Sequence, residues 1–317
     1  MIMQTRALQE KWLDDLLIFS PPRRSQPISQ FLEDNLLVSA PSIQGRPGGL
    51  YHLKKTTWFA SAELQIIDLL DTSGLYLQSN LFLRSLQNKS TLFLVAYSQT
   101  GQTWTIANSE LKNIHDMVIF EHSLYVVSCF TNEIAKISMT GEIEERWKFG
   151  NGAHTWHINC LSVWDNRLVA TCSGRFDVEP DWASDLGRPG QVFDVKTGDI
   201  LWSDLAHPHA PGVDRQNRKY VCDSKGQKVL IKESSGNIIE LKFPGSFPKA
   251  LAWGKNMLYV GLAKYRFPLA GQKGIDSARI AIVNLKDFSI VDYIDLPIDE
   301  MYNIVVVPDD LSALLPR

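Results

Sequence analysis

The chain has 317 residues, 44% of them apolar and 21% charged, with 20 glycines and 15 prolines. That apolar content excludes intrinsic disorder, and no run of about 18 uncharged apolar residues offers a transmembrane helix. Lys and Arg number 32 against 35 Asp and Glu, a net charge of −3, which argues against a dedicated nucleic-acid binder, whose affinity comes from neutralising phosphates.

The N-terminal stretch MIMQTRALQEKWLDDLLIF carries Glu10, Lys11, Asp14 and Asp15 among its apolar positions, so it lacks the unbroken apolar core of a secretory signal. Leu8, Trp12, Leu16 and Leu17 recur at helical spacing and predict a short amphipathic helix. Residues 1–30 read as a helical extension, 31–317 as a single domain, and the expected compartment is the cytoplasm. The four cysteines, Cys129, Cys160, Cys172 and Cys222, form no C-x-x-C pair, which leaves zinc-knuckle and thioredoxin-like motifs unsupported. Three lie in strand-like runs, where buried free thiols suit a reducing compartment.

From about residue 35 onward, short runs rich in β-branched and aromatic residues alternate with turn residues. Examples are TLFLVAY (91–97), SLYVVSCF (123–130), RLVATCS (167–173) and MLYVGL (257–262). Tight turns recur at Gln99-Thr100-Gly101, Met139-Thr140-Gly141, Lys196-Thr197-Gly198 and Ser234-Ser235-Gly236, with Lys286-Asp287 in the last full unit; glycine there supplies the positive φ such turns need. Polar anchors at Gly74, His115, His157, His209, Pro248 and Tyr302 recur about every 40 to 55 residues, the period of a four-stranded propeller blade. The expected fold is therefore all-β, a six-bladed β-propeller. Its last blade joins a lone C-terminal strand (YNIVVVP, 302–308) to three strands at 35–69, leaving no open edge at the seam. Two long insertions, 174–189 and 264–277, fall between second and third strands and are candidate functional loops.

A propeller brings the starts of its innermost strands together at one mouth of the axis. Here those starts read Ile114-His115-Asp116, His157-Ile158-Asn159, His207-Pro208-His209, Phe247-Pro248-Lys249 and Glu300-Met301-Tyr302-Asn303. Of the seven histidines, His115, His157, His207 and His209 share these positions, and His154 lies close by. Imidazole is both the common acid/base near neutral pH and a common transition-metal ligand. The expected site therefore has His157, His209 and His115 as catalytic imidazoles, with Asp116 or Glu300 orienting them. Lys249, Tyr302, Asn303, Asn159, His207 and Trp156 would bind substrate, and Trp182 is placed near the ligand by its insertion. The expected cofactor is none, or a divalent metal ion on His115, His157 and His209. The expected partner is a small molecule, with neither nucleic acid nor membrane involved. The bland alternative has the histidines locking neighbouring blades together through backbone hydrogen bonds.

These motifs resemble a group of bacterial β-propeller proteins catalogued only as a domain of unknown function. The likeness runs in order through IHDMVIF (114–120), SLYVVSCFTNEI (123–134), WHINCL (156–161), HPHAP (207–211), FPKALAWG (247–254) and EMYNIVV (300–306). The resemblance implies a propeller and marks the H-D, H-x-N and H-P-H motifs as its signature; it implies no assigned reaction. Lys249 stands where relatives tend to carry arginine, and an ammonium cannot make the bidentate fork of a guanidinium. The functional expectation is a lyase, hydrolase, isomerase or cyclase acting on a polar metabolite. The rival is a non-catalytic propeller that presents a face to a protein or glycan.

Overall fold

The computed structural model describes residues 24–25, 32–41, 48–55, 62–68, 72–78, 81–88, 91–98, 103–138, 140–152, 154–182, 184, 186–264 and 274–307. Every regular element among them is a β-strand, and among the described residues no helix is long and apolar enough to cross a membrane. The amphipathic helix expected near the N-terminus lies outside the described residues. Within the expected helical extension, Arg24–Ser25 instead pairs with Ala62–Asp68 as an outer strand.

Five four-stranded antiparallel sheets follow one another along the chain as blades 1 (72–108), 2 (114–148), 3 (158–205), 4 (208–242) and 5 (246–295). In each, the first strand is innermost and the chain meanders outward. The expectation of a six-bladed propeller is thus corrected: among the described residues there are five four-stranded blades. The two ends of the chain instead form a composite sheet of five strands, ordered outward as Asn303–Val307, Asn35–Ala40, Gly49–Lys55, Ala62–Asp68 and Arg24–Ser25. Its seam is antiparallel, with Asn35 opposite Val307 and Ser39 opposite Asn303. The six innermost strands each touch the next around the axis, and Asn303–Val307 touches Thr72–Gln78 to close the ring.

Burial follows strand position. In blade 5 the second strand, Met257–Lys264, is buried along all but its last residue, whereas the outermost strand, Ile290–Asp295, is largely open. Apolar clusters fill the spaces between neighbouring sheets. One joins Tyr220 and Val229 of blade 4 to Leu258 and Val260 of blade 5, and another joins blade 5 to the composite sheet through Ala250, Tyr259, Leu36 and Ile304. The hairpin glycines adopt left-handed backbone as expected, Gly141, Gly198 and Gly236 having φ of 91°, 76° and 90°; in blade 5, Phe288 takes that conformation at 59°.

One irregularity recurs. In all five blades the register between first and second strands slips near the axial end of the inner strand. In blade 2, His115 and Asp116 together face Val127; in blade 5, Lys249 is the extra residue between Pro248 and Ala250. The composite sheet has no such slip at its inner pair. A bulge of this kind bends the strand and re-aims a side chain, and here it does so around a common axis.

Candidate functional site

The residues leading into the inner strands hold unusual backbone. Asn113, His157, His207 and Gly245 directly precede the inner strands of blades 2 to 5, and their φ angles are 55°, 49°, 58° and 75°. For a non-glycine residue the left-handed region costs on the order of 1–2 kcal/mol, so three such residues must be held by their surroundings. Polar groups at the ends of second strands do this. Asn132 donates from Nδ2 to the Gly152 carbonyl (2.5 Å) and accepts the Trp156 N–H (3.2 Å), fixing the approach to His157. Asp223 accepts the Ala206 N–H at 2.6 Å, fixing the approach to His207. Asn132, in blade 2, thus reaches the entry loop of the next blade, whereas Asp223 fixes the entry loop of its own blade 4.

The result is a cavity of about 260 Å³ at the axis. Around it His157 lies with its ring centroid 5.8 Å from His115, 4.5 Å from His154 and 5.0 Å from His207, and His207 lies 5.2 Å from His209. On the other side the Lys249 ammonium sits 3.7 Å from the Tyr302 ring centroid and 2.9 Å from Glu300 Oε1. Trp182, from the 174–189 insertion, covers the histidines, 4.9 Å from His157 and 6.0 Å from His207. The insertion is tied down on both sides: His154 Nδ1 donates to Glu179 at 2.9 Å, and Lys225 Nζ donates to the carbonyls of Trp182 (2.7 Å) and Ser184 (2.9 Å). The remainder of the second insertion, 265–273, lies outside the described residues.

Hydrogen bonding fixes one tautomer. His209 Nδ1 lies 3.0 Å from the His207 carbonyl, which can only accept, and 2.9 Å from Ser224 Oγ, whose hydroxyl donates onward to the Pro248 carbonyl. Nδ1 therefore carries the hydrogen and Nε2 the lone pair. Burial, reinforced by the Lys249 charge and then by neighbouring imidazoles, holds His209 well below the ordinary imidazole range. Burial and the surrounding histidines do the same to His157.

The fold brings His115, His157, His207, His209, Lys249, Glu300 and Tyr302 to the cavity wall, together with Asn113, His154, Trp182 and Phe247. Four expected site residues are not on that wall. Asp116 is buried behind it, accepting the N–H groups of Met117 and Leu161 (both 2.9 Å) and Asn303 Nδ2 (3.3 Å). It links blades 2 and 3 to the composite sheet, and burial raises its pKa to about 7 against the pull of those bonds. Asn303 is engaged in that same link. Asn159 is fully buried and donates toward Ser173 and the Pro208 carbonyl. Trp156 packs against Phe149 and under the Arg175 guanidinium. Asp116, Asn303 and Asn159 thus bond across blades behind the wall, and on the wall Ser173 Oγ likewise bonds His207 Nδ1 at 2.7 Å.

The ligand set expected for a metal, His115, His157 and His209, is not the one that clusters. Among the described residues the close group is His115, His157 and Cys129. All four cysteines are free and buried, and burial pushes the Cys160 and Cys172 thiols up to about 12.

A family profile described as a domain of unknown function, DUF4915, matches residues 40–314. No curated protein matches the chain significantly. Among solved structures, a chain of a nidogen/laminin complex aligns at 14% identity and a TM-score of 0.58, covering 87% of this chain and 99% of its own. Virginiamycin B lyase from Staphylococcus aureus aligns at 12% identity and 0.50, covering 87% and 90%. Regucalcin, a calcium-binding protein from Agrobacterium tumefaciens, aligns at 10% identity and 0.55, covering 75% and 79%. At these identities the likeness is one of fold, and that fold serves both enzymes and binding proteins.

Proposed function

The chain belongs to the DUF4915 family, and on that premise we propose that it is a small-molecule enzyme working at the axial mouth of its propeller. The reaction is a lyase, hydrolase, isomerase or cyclase step on a polar metabolite, carried by acid/base or metal-assisted chemistry. One observation carries this reading: imidazoles from blades 2, 3 and 4 converge on one cavity that also holds a paired lysine and glutamate. Structural histidines need partners, not a shared cavity. His209, with Nδ1 anchored and the Nε2 lone pair free of a proton, is built to accept one from a substrate. The Lys249–Glu300 pair is internally neutral, and the wall adds Trp182, Phe247 and Tyr302. Such a lining suits a polar molecule with a flat or apolar face better than a multiply charged anion.

The test is consumption of a metabolite. Purified protein, with and without added Zn²⁺, is incubated with a bacterial small-molecule extract, and mass spectrometry follows what disappears. At least one compound should be depleted by the natural chain and spared by a folded His209→Gln variant. Equal profiles for the two proteins would overturn the reading.

A further inference from the structure

Cys129 and Ser173 occupy the same place in successive repeats. Each follows the second strand of its blade, and the Cys129 N–H donates to the Asn113 carbonyl (3.2 Å) just as the Ser173 N–H donates to that of His157 (3.4 Å). Ser173 Oγ then shares a 2.7 Å hydrogen bond with Nδ1 of His207, the left-handed histidine that opens the next blade. One repeat earlier the corresponding pair is Cys129 and His157. There the hydroxyl is replaced by a thiol, and His157 Nδ1 is buried without a hydrogen-bond partner. His115, on the bulge of blade 2, supplies a third donor. One ligand atom from each of His115, Cys129 and His157 lies within 4.8 Å of the other two.

Zinc–nitrogen and zinc–sulfur bonds of about 2.0–2.3 Å place tetrahedral ligands roughly 3.5 Å apart. A contraction of about 1 Å, within the reach of small side-chain rotations, would bring these three atoms to that spacing. We propose that Cys129, His115 and His157 hold a zinc ion at the buried wall of the axial cavity, with its fourth coordination position open to that cavity. One thiolate and two imidazoles make a borderline-to-soft set suited to zinc, and with no carboxylate among them they do not suit calcium or magnesium. Three protein ligands with an open fourth position is the arrangement of catalytic and not structural zinc. The proposal deepens the reading above and rests on the same cavity being the working site, yet its readout needs no substrate.

The experiment loads the reduced full chain with Zn²⁺ or Co²⁺ and removes excess metal by desalting. The natural chain should retain about one ion, and its Co²⁺ form should show the near-ultraviolet band of a thiolate–cobalt bond. Cys129→Ser, His115→Gln and His157→Gln should each weaken retention by more than about 10-fold, while His209→Gln should keep both metal and band. Absence of the thiolate band in the natural chain overturns the proposal without recourse to any variant. Retention by Cys129→Ser equal to that of the natural chain also overturns it. Metal retained in the absence of any turnover would leave this site standing and overturn only the enzymatic reading.

Discussion

Nζ of Lys249 stands 2.9 Å from Oε1 of Glu300, and the two side chains are only 9% and 4% exposed. The lysine is the bulge residue of blade 5 and the glutamate precedes the closing strand, so the pair spans the last interface of the ring. Burying two charges costs desolvation that their attraction roughly offsets, but removing one partner strands the other. Lys249→Met alone, or Glu300→Leu alone, should therefore destabilise the protein by about 3–5 kcal/mol, while the double variant should fall much closer to the natural chain. Chemical denaturation of all four proteins gives the coupling directly; additive single effects would mean that the pair does not act as one unit.

Acid stability carries opposing contributions from the buried imidazoles of the wall and from Asp116 behind it. The His209 pKa lies well below its ordinary 6.5 in the folded protein, chiefly through burial. Below pH 6.5 the unfolded chain therefore binds a proton there that the folded chain refuses, and stability falls with decreasing pH by up to about 1.4 kcal/mol per unit. Asp116 has the reverse sign. Its pKa rises from 3.8 to about 7 on folding, so between those values the folded chain binds the extra proton and stability increases as pH falls. Relative to the natural chain, His209→Gln should lose less stability between pH 7 and pH 5, and Asp116→Asn should lose more. Urea unfolding at the two pH values decides it; shifts of the same sign in both variants would contradict the assignment.

The fold was largely legible because its determinants are local and repeated. Strand patterns, turn residues such as Thr197-Gly198 and the complementary fractions of a repeat at the two ends imply a closed ring of sheets by themselves. The added outer strand at Arg24–Ser25 was not legible, since two residues carry no periodicity. At the site, the anchor spacing located the wall histidines, Lys249 and Tyr302. It could not separate His115 from Asp116, adjacent residues on one bulge, of which the first lines the cavity and the second is buried behind it. The same ambiguity affected the tryptophans: Trp156 adjoins His157 in sequence yet packs away from the cavity, whereas Trp182 reaches it from an insertion. Cys129 looked like any other buried strand-end thiol until its repeat-equivalence to Ser173 and its place beside two imidazoles could be seen.

Closure of the ring makes a position-dependent prediction about charge. Ile304, in the innermost strand of the composite sheet, is 2% exposed and belongs to the core shared with blade 5. Its backbone pairs with Val38, so one residue joins both ends of the chain. Ile238 begins the outermost strand of blade 4 and is 48% exposed. An aspartate at 304 would place an uncompensated charge in the seam, and Ile304→Asp should cost about 4 kcal/mol or more. Ile238→Asp should remain within about 0.5 kcal/mol of the natural chain. The seam variant should also leave Asn35–Ala40 as an unpaired edge strand and associate with itself. Light scattering alongside thermal unfolding measures both effects. A soluble, cooperatively folded Ile304→Asp protein would mean that the ring does not depend on its closing strand.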